Sequence, residues 1–343
     1  MSNYDLIIIG CGIVGSSASY YASKTKKRVL IIEKNFVGFN SSGNAQGGLA
    51  PLVSGNKQDL KFHLEALDLH KELMEEFRLT NFDPFYTNKP HLKVAMNLGD
   101  RDLYIKTTIP DSKFLETDQI LKIEPKLKSV DYGGILFNDY LEVDSFNLTN
   151  ALKERSLEFG AKYINFDFKF NNLITKNNKF IGINLDGKII YSEKIVFTTG
   201  PWTKDLLKNV LSVEVEPLKG QILRTKSKDQ IDISVAWGKD YATMKNDGLL
   251  WIGTTEEFVG YDSKPDHKGK EAILKSFKDM FYGFEDIEII KQTACLRPYS
   301  KDNKPIIKES SRIKGVFIAT GAGRNGIKLG PLMGKNLVNL AIE

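Results

Sequence analysis

Residues 4–34 read YDLIIIGCGIVGSSASYYASKTKKRVLIIEK. An apolar run, Leu6–Ile9, leads into Gly10-Cys11-Gly12-Ile13-Val14-Gly15. A stretch without charges follows until Lys24, and a second apolar run, Val29–Ile32, ends at Glu33 and Lys34. The order is strand, tight glycine turn, helix and parallel strand. Gly10 permits the turn, Gly12 lets backbone approach a pyrophosphate, and Gly15 lets helix and strand pack closely. The first helical residues, Ile13 and Val14, present free N–H groups and a partial positive charge to the phosphates. Glu33 lies about twenty residues past the glycines, at a strand end where a carboxylate can accept both ribose hydroxyls. A carboxylate there disfavours a 2′-phosphate, so the pattern points to FAD or NAD and away from NADP.

A chain of 343 residues holds one large domain or two modest ones, each with its own core. No apolar stretch reaches the roughly eighteen residues of a membrane span. The glycine turn begins at residue 10, leaving no room for a signal peptide ahead of it, and a cytoplasmic protein is expected. Cys11 and Cys295 are the only cysteines and offer neither a disulfide framework nor metal spacing. The net charge of +5 comes mostly from scattered lysines and reads as a solvated surface, not a nucleic-acid or membrane patch.

Residues 57–78 carry apolar residues at helical spacing, with His63 and His70 on one face. With no third ligand nearby, both histidines read as packing or surface residues and no metal is expected. Residues 85–140 and 215–260 alternate short apolar runs with turn residues, as strands of a second sheet do. Asp144 is placed to cap a helix running to about Phe159. Residues 268–281 read as a helix, and the tail from Gly315 reads as strand, glycine turn, helix. Dinucleotide-type and sheet-type segments thus alternate, which suits an α/β domain interrupted twice by another better than two domains in tandem.

Four further constellations carry chemistry. The loop 38–49, GFNSSGNAQGGL, offers Ser41 and Ser42 as donors to phosphate oxygens. Its Gly47, Gly48 and Leu49 let backbone lie against a flat ring or an anion. Thr199, Gly200 and Trp202 follow a strand whose end requires a close backbone approach. Arg297 follows a strand-like run and abuts Pro298; a guanidinium in a pocket grips a carboxylate through two parallel hydrogen bonds, whereas on the surface it forms an ordinary ion pair. Gly323, Arg324, Asn325, Gly326 and Ile327 close a strand and open the last helix, whose N-terminus stabilises negative charge.

Taken together, GCGIVG at 10–15, SSGNAQGGLAP at 41–51, TTGPW at 198–202, PLKGQILR at 217–224, CLRPYSKDNKPII at 295–307 and GAGRNGIKLGP at 321–331 carry a resemblance over nearly the whole chain. The chain resembles the D-amino-acid oxidase family of FAD-dependent oxidoreductases, above all its glycine oxidase and sarcosine oxidase branches. The resemblance implies a discontinuous, Rossmann-like FAD-binding domain at 1–84, 141–214 and 291–343. Into it would be inserted an antiparallel-sheet substrate domain at 85–140 and 215–290. It implies FAD as cofactor, and a small amino or imino acid as substrate. Arg297 would pair with the substrate carboxylate, Tyr241 would line the pocket, and Arg324 would lie near substrate and flavin. The implied reaction is hydride transfer from the substrate α-carbon to the flavin, giving an imine that water hydrolyses.

Two departures bear on that expectation. Sarcosine oxidases carry a lysine that serves oxygen activation where this chain has Trp251, so the electron acceptor is either oxygen or a quinone or protein. Cys295 stands where sarcosine oxidases tether their flavin, so it is either a covalent attachment point or a small buried structural cysteine. A 2-hydroxy acid dehydrogenase of the L-2-hydroxyglutarate type, a tRNA-modifying module and a flavin subunit of a larger complex are the other readings, and self-association is left open. Glu256 is expected to face water.

Overall fold

The computed structural model describes residues 4–342 apart from 52, 54, 55 and 209. The two apolar runs around the glycine turn form the parallel neighbours Leu6–Ile9 and Val29–Glu33 of a six-stranded sheet. Its order is Ile306–Glu309, Val316–Thr320, Ile195–Phe197, Leu6–Ile9, Val29–Glu33, Lys162–Asn165, parallel except for the first pair. The central strands are buried on both faces, which is why they read as unbroken apolar runs with no alternation. One face carries the helices Ile13–Lys24, Lys57–Phe77 and Gly326–Ile342. The first and last of these approach closely: a Cβ on Gly334 would lie 2.5 Å from the Ser17 Cβ. The other face packs against a three-stranded sheet at 173–191, where Phe180, Ile183 and Ile190 meet Ile7, Ile9 and Ile32.

The strand-rich segments build an eight-stranded sheet. Its order is Glu288–Tyr299, Glu216–Lys226, Leu250–Gly253, Asp240–Met244, Ser234–Trp237, Thr87–Val94, Gly134–Glu142, Ser112–Leu115. Every pair is antiparallel but one: Ser234–Trp237 runs parallel to Thr87–Val94, so the expected antiparallel sheet is in fact mixed. Two of its strands, Gly134–Glu142 and Glu288–Tyr299, run across the boundaries expected at 140 and 290, because each stays in its ladder from end to end. Side chains alternate between faces with period two. Leu92, Val235, Ala242, Leu223 and Ile252 point into a core closed by the helix His267–Met280. Their neighbours Lys93, Ala236, Tyr241 and Ile222 point the other way, into a cavity.

The helix expected over 57–78 is observed as Lys57–Phe77, and that over 268–281 as His267–Met280. The Asp144 side chain accepts from the Asn147 N–H at 2.8 Å, capping Ser145–Glu158.

Candidate active site

Between the two large sheets lies a cavity of about 1110 Å³. Gly10, Gly12, Glu33 and Ser42 line one end, and Tyr241, Arg297 and Arg324 line the other. All the residues singled out from sequence as cofactor-facing line it, except Gly15 and Leu49. Gly15 lies behind the wall: a Cβ there would sit 2.0 Å from the Gly10 carbonyl oxygen, so its place is in the turn's packing. Leu49 is buried in the core, and its N–H donates to the Leu141 carbonyl.

The glycine turn is built for close approach. Gly10 has φ +98°, a left-handed conformation that only glycine adopts freely, and a Cβ there would meet the Thr198 carbonyl at 2.8 Å. At the strand end, Glu33 accepts from the backbone N–H of Cys11 at 2.7 Å and of Asn35 at 2.9 Å. These bonds fix the carboxylate at the cavity wall and leave it further lone pairs. Contrary to expectation, the Ile13 N–H is not free: it donates to Ser42 Oγ at 2.9 Å, and it is that hydroxyl which keeps its proton for a cavity ligand. Ser41 differs from expectation. Its hydroxyl donates to the Leu296 carbonyl at 2.8 Å, and Asn40 bonds both the N–H and the carbonyl of Leu296. This loop therefore anchors the strand that carries Arg297.

Arg297 lies across its neighbour strand. Nη1 donates to the Thr255 carbonyl at 3.1 Å and Nη2 to Thr254 Oγ1 at 2.8 Å. The guanidinium passes over Gly220, where a Cβ would lie 2.2 Å from Cζ. Tyr241 is seated in the same way over Gly253, whose added Cβ would come within 2.8 Å of the phenol oxygen. The Tyr241 hydroxyl is buried and has no partner among the described residues, and burial pushes its pKa up, so it stays protonated as a donor. Arg324 bonds the Lys239 carbonyl and pairs with Glu256 at 3.3 Å. Glu256 is exposed and stays outside the cavity lining, as expected, and its carboxylate pairs with Arg324 at the surface. Cys295 lines the cavity, and burial pushes its thiol up.

His70 is fully buried, bonded to the Tyr86 hydroxyl and beside the Ile327 and Lys328 carbonyls. It ties two helices together. No metal-binding cluster occurs among the described residues. Sequence reasoning missed Gly220, Gly253, Lys93 and Lys328; the last was visible as a lone lysine in an otherwise apolar helix start.

Residues 5–340 match the sequence model of the family described as FAD dependent oxidoreductase. The chain belongs to that family. The glycine oxidase of Bacillus licheniformis is 26% identical over 349 aligned residues, covering 99% of this chain and 93% of that protein. The crystal structure of a glycine oxidase from Bacillus cereus ATCC 14579 superposes with a TM-score of 0.88 at 25% identity, covering 99% and 97% of the two chains. That of glycine oxidase from Geobacillus kaustophilus gives 0.90 at 24%, covering 99% and 95%.

FAD is the cofactor of this family, and the residues present suit it. Beyond the bare glycine turn, the oxidoreductase offers an anchored carboxylate at the strand end, a serine hydroxyl with a free proton at the helix start, and an unpartnered buried phenol at the far end. Glu33→Ala removes the anchored acceptor and should weaken FAD binding by about 1.5–3 kcal/mol, the worth of a hydrogen bond to a charged group. Titration of the apoprotein, followed by quenching of FAD fluorescence, checks this.

Proposed function

We propose that this FAD-dependent oxidoreductase oxidises a small amino or imino acid, such as glycine, sarcosine, proline or a D-amino acid. The observation that carries the reading is Arg297, held over Gly220 by Thr254 and Thr255 with most of its N–H groups left for a ligand. A planar fork so fixed suits a carboxylate, which it would grip by two parallel bonds. Gripping the carboxylate orients the α-carbon, and the Tyr241 hydroxyl supplies a donor beside it. The enclosed site and its cations lower the pKa of a bound ammonium, so the neutral amine becomes accessible without a dedicated base. FAD, held by the glycine turn, Glu33 and Ser42, would supply the two-electron acceptor for the α-hydrogen, and the substrate would become an iminium ion. Water then adds to the iminium carbon and ammonia, or an amine, leaves.

In this proposal Gly10, Gly12, Ile13, Val14, Ser42 and Glu33 face the dinucleotide. Thr199, Gly200, Trp202 and the turn 323–327 face the flavin end. The six-stranded sheet with its helices forms the cofactor domain, and the eight-stranded sheet forms the substrate domain. The flavin is held noncovalently: burial keeps the Cys295 thiol protonated, and the thiolate is the reactive form. Flavin fluorescence running with the protein on a denaturing gel would contradict this. The acceptor is oxygen or a quinone or protein; Trp251, which stands where sarcosine oxidases carry a lysine, stacks under the Arg224 guanidinium at 3.9 Å. The two unpaired cysteines support a cytoplasmic location, and no helix among the described residues is long and apolar enough to cross a membrane.

Turnover of glycine with an artificial electron acceptor should release ammonia and glyoxylate in equal amounts. Acceptor reduction without ammonia release would overturn amine oxidation.

A further inference from the structure

Two lysines enter the cavity beyond Tyr241, and the reaction as described uses neither. Lys328 sits at the start of the last helix, 5% exposed, with Nζ donating to the Ala50 carbonyl at 2.8 Å. Its other two N–H groups have no partner among the described residues. Lys93 lies on the sheet row that runs through Ala236, Tyr241 and Gly253. Neither ammonium is in an ion pair with a described carboxylate. Burial and Lys93 together bring Lys328 down to about 7, and no acid offsets them. Lys93 is lowered by burial and by Arg324, with Asp100 acting the other way. Arg324 in turn feels Arg297.

Four cations therefore follow one another along the wall, Arg297, Arg324, Lys93 and Lys328. The acids near them are committed or distant. Glu256 holds Arg324, and Asp240 accepts from the Thr254 N–H and the Ser276 hydroxyl. His63 and His91 are neutral, pulled by burial to about 3 and about 4. Buried charge without a counter-charge is costly, and a substrate with one carboxylate would satisfy Arg297 alone.

We propose that Lys93 and Lys328 receive a second carboxylate of the substrate, so that the preferred substrates are amino or imino dicarboxylic acids. This rests on the amine-oxidation reading. Tyr241 and Lys93 are two strands, about 10 Å, apart on one sheet row, and the Lys93 ammonium lies 5.5 Å from the Tyr104 ring centroid. A diacid with three heavy atoms between its carboxyl carbons, as in glutarate and iminodiacetate, spans about 5 Å of that distance. The second carboxylate also supplies the counter-charge that keeps Lys328 protonated.

The matched probes are sarcosine and iminodiacetate, which differ by one carboxylate, and butyrate and glutarate, which lack an amine. On the holoenzyme, calorimetry should show glutarate binding roughly tenfold to hundredfold tighter than butyrate, the effect of a charge-assisted bond. The kcat/KM for iminodiacetate should exceed that for sarcosine by a similar factor. Lys93→Gln and Lys328→Met should each collapse both ratios toward one, and Lys93→Arg should keep them; the bound-flavin spectrum confirms that each variant is folded. Equal affinity for glutarate and butyrate in the parent protein, or ratios that survive both neutral variants, would overturn the second-carboxylate site. If glutarate outbinds butyrate while no amine reduces the flavin, the anion site stands and amine oxidation falls.

Discussion

Arg297→Ala should raise KM for carboxylate substrates roughly thirtyfold to several thousandfold, while FAD stays bound. Removing one partner of a buried, hydrogen-bonded charge pair costs about 2–5 kcal/mol, much of it from leaving the other charge unpaired. Among the described residues the guanidinium hydrogen-bonds Thr254 and Thr255, and neither belongs to the glycine turn that faces the dinucleotide. Steady-state kinetics alongside the visible spectrum separate the two effects. A variant with normal KM would remove the carboxylate role, and one that loses its flavin would give Arg297 a cofactor role instead.

Gly220→Ala should reproduce much of that loss without touching the arginine. Its new methyl group would lie 2.2 Å from Arg297 Cζ, closer than a Cβ ever sits to another heavy atom, so the guanidinium has to move by about an ångström. Misplacing a positioning group that far costs on the order of a hundredfold. The backbone at Gly220 pairs regularly with Cys295, so the substitution should leave the ladder and the melting temperature little changed. The expected signature is a raised KM in a stable, yellow protein. A destabilised protein would show instead that the glycine serves the sheet.

These two residues also mark where sequence reading succeeds. The glycine turn, Glu33 and the helix between them were legible because their geometry is local: a positive φ, a helix N-terminus and a strand end follow one another within one unit. Arg297 was legible as an unusual residue beside a fixed backbone. Gly220 was not, although it lies in a motif singled out on other grounds. Its purpose depends on the register that sets Leu218 opposite Arg297 and Gly220 opposite Cys295, which no local pattern encodes. The same holds for Gly253 beneath Tyr241. Glu256 was legible as a solvated charge; its ion pair with Arg324 was not, because it joins residues far apart in sequence. The parallel pair inside the larger sheet escaped for the same reason: strands alternate in period two whichever way their neighbours run. Lys93 and Lys328 read as surface lysines because charge is usually solvated, and only the assembled cavity shows them turned inward.

The most direct measurement is the visible spectrum of the pure holoprotein under anaerobic titration with glycine, sarcosine, proline, D-alanine and iminodiacetate. Bleaching of the yellow flavin by one or more of these, with two electrons taken up per amine, is the predicted result. A flavin that none of them reduces, but that 2-hydroxyglutarate does, would contradict amine oxidation and assign the site to hydroxy acids.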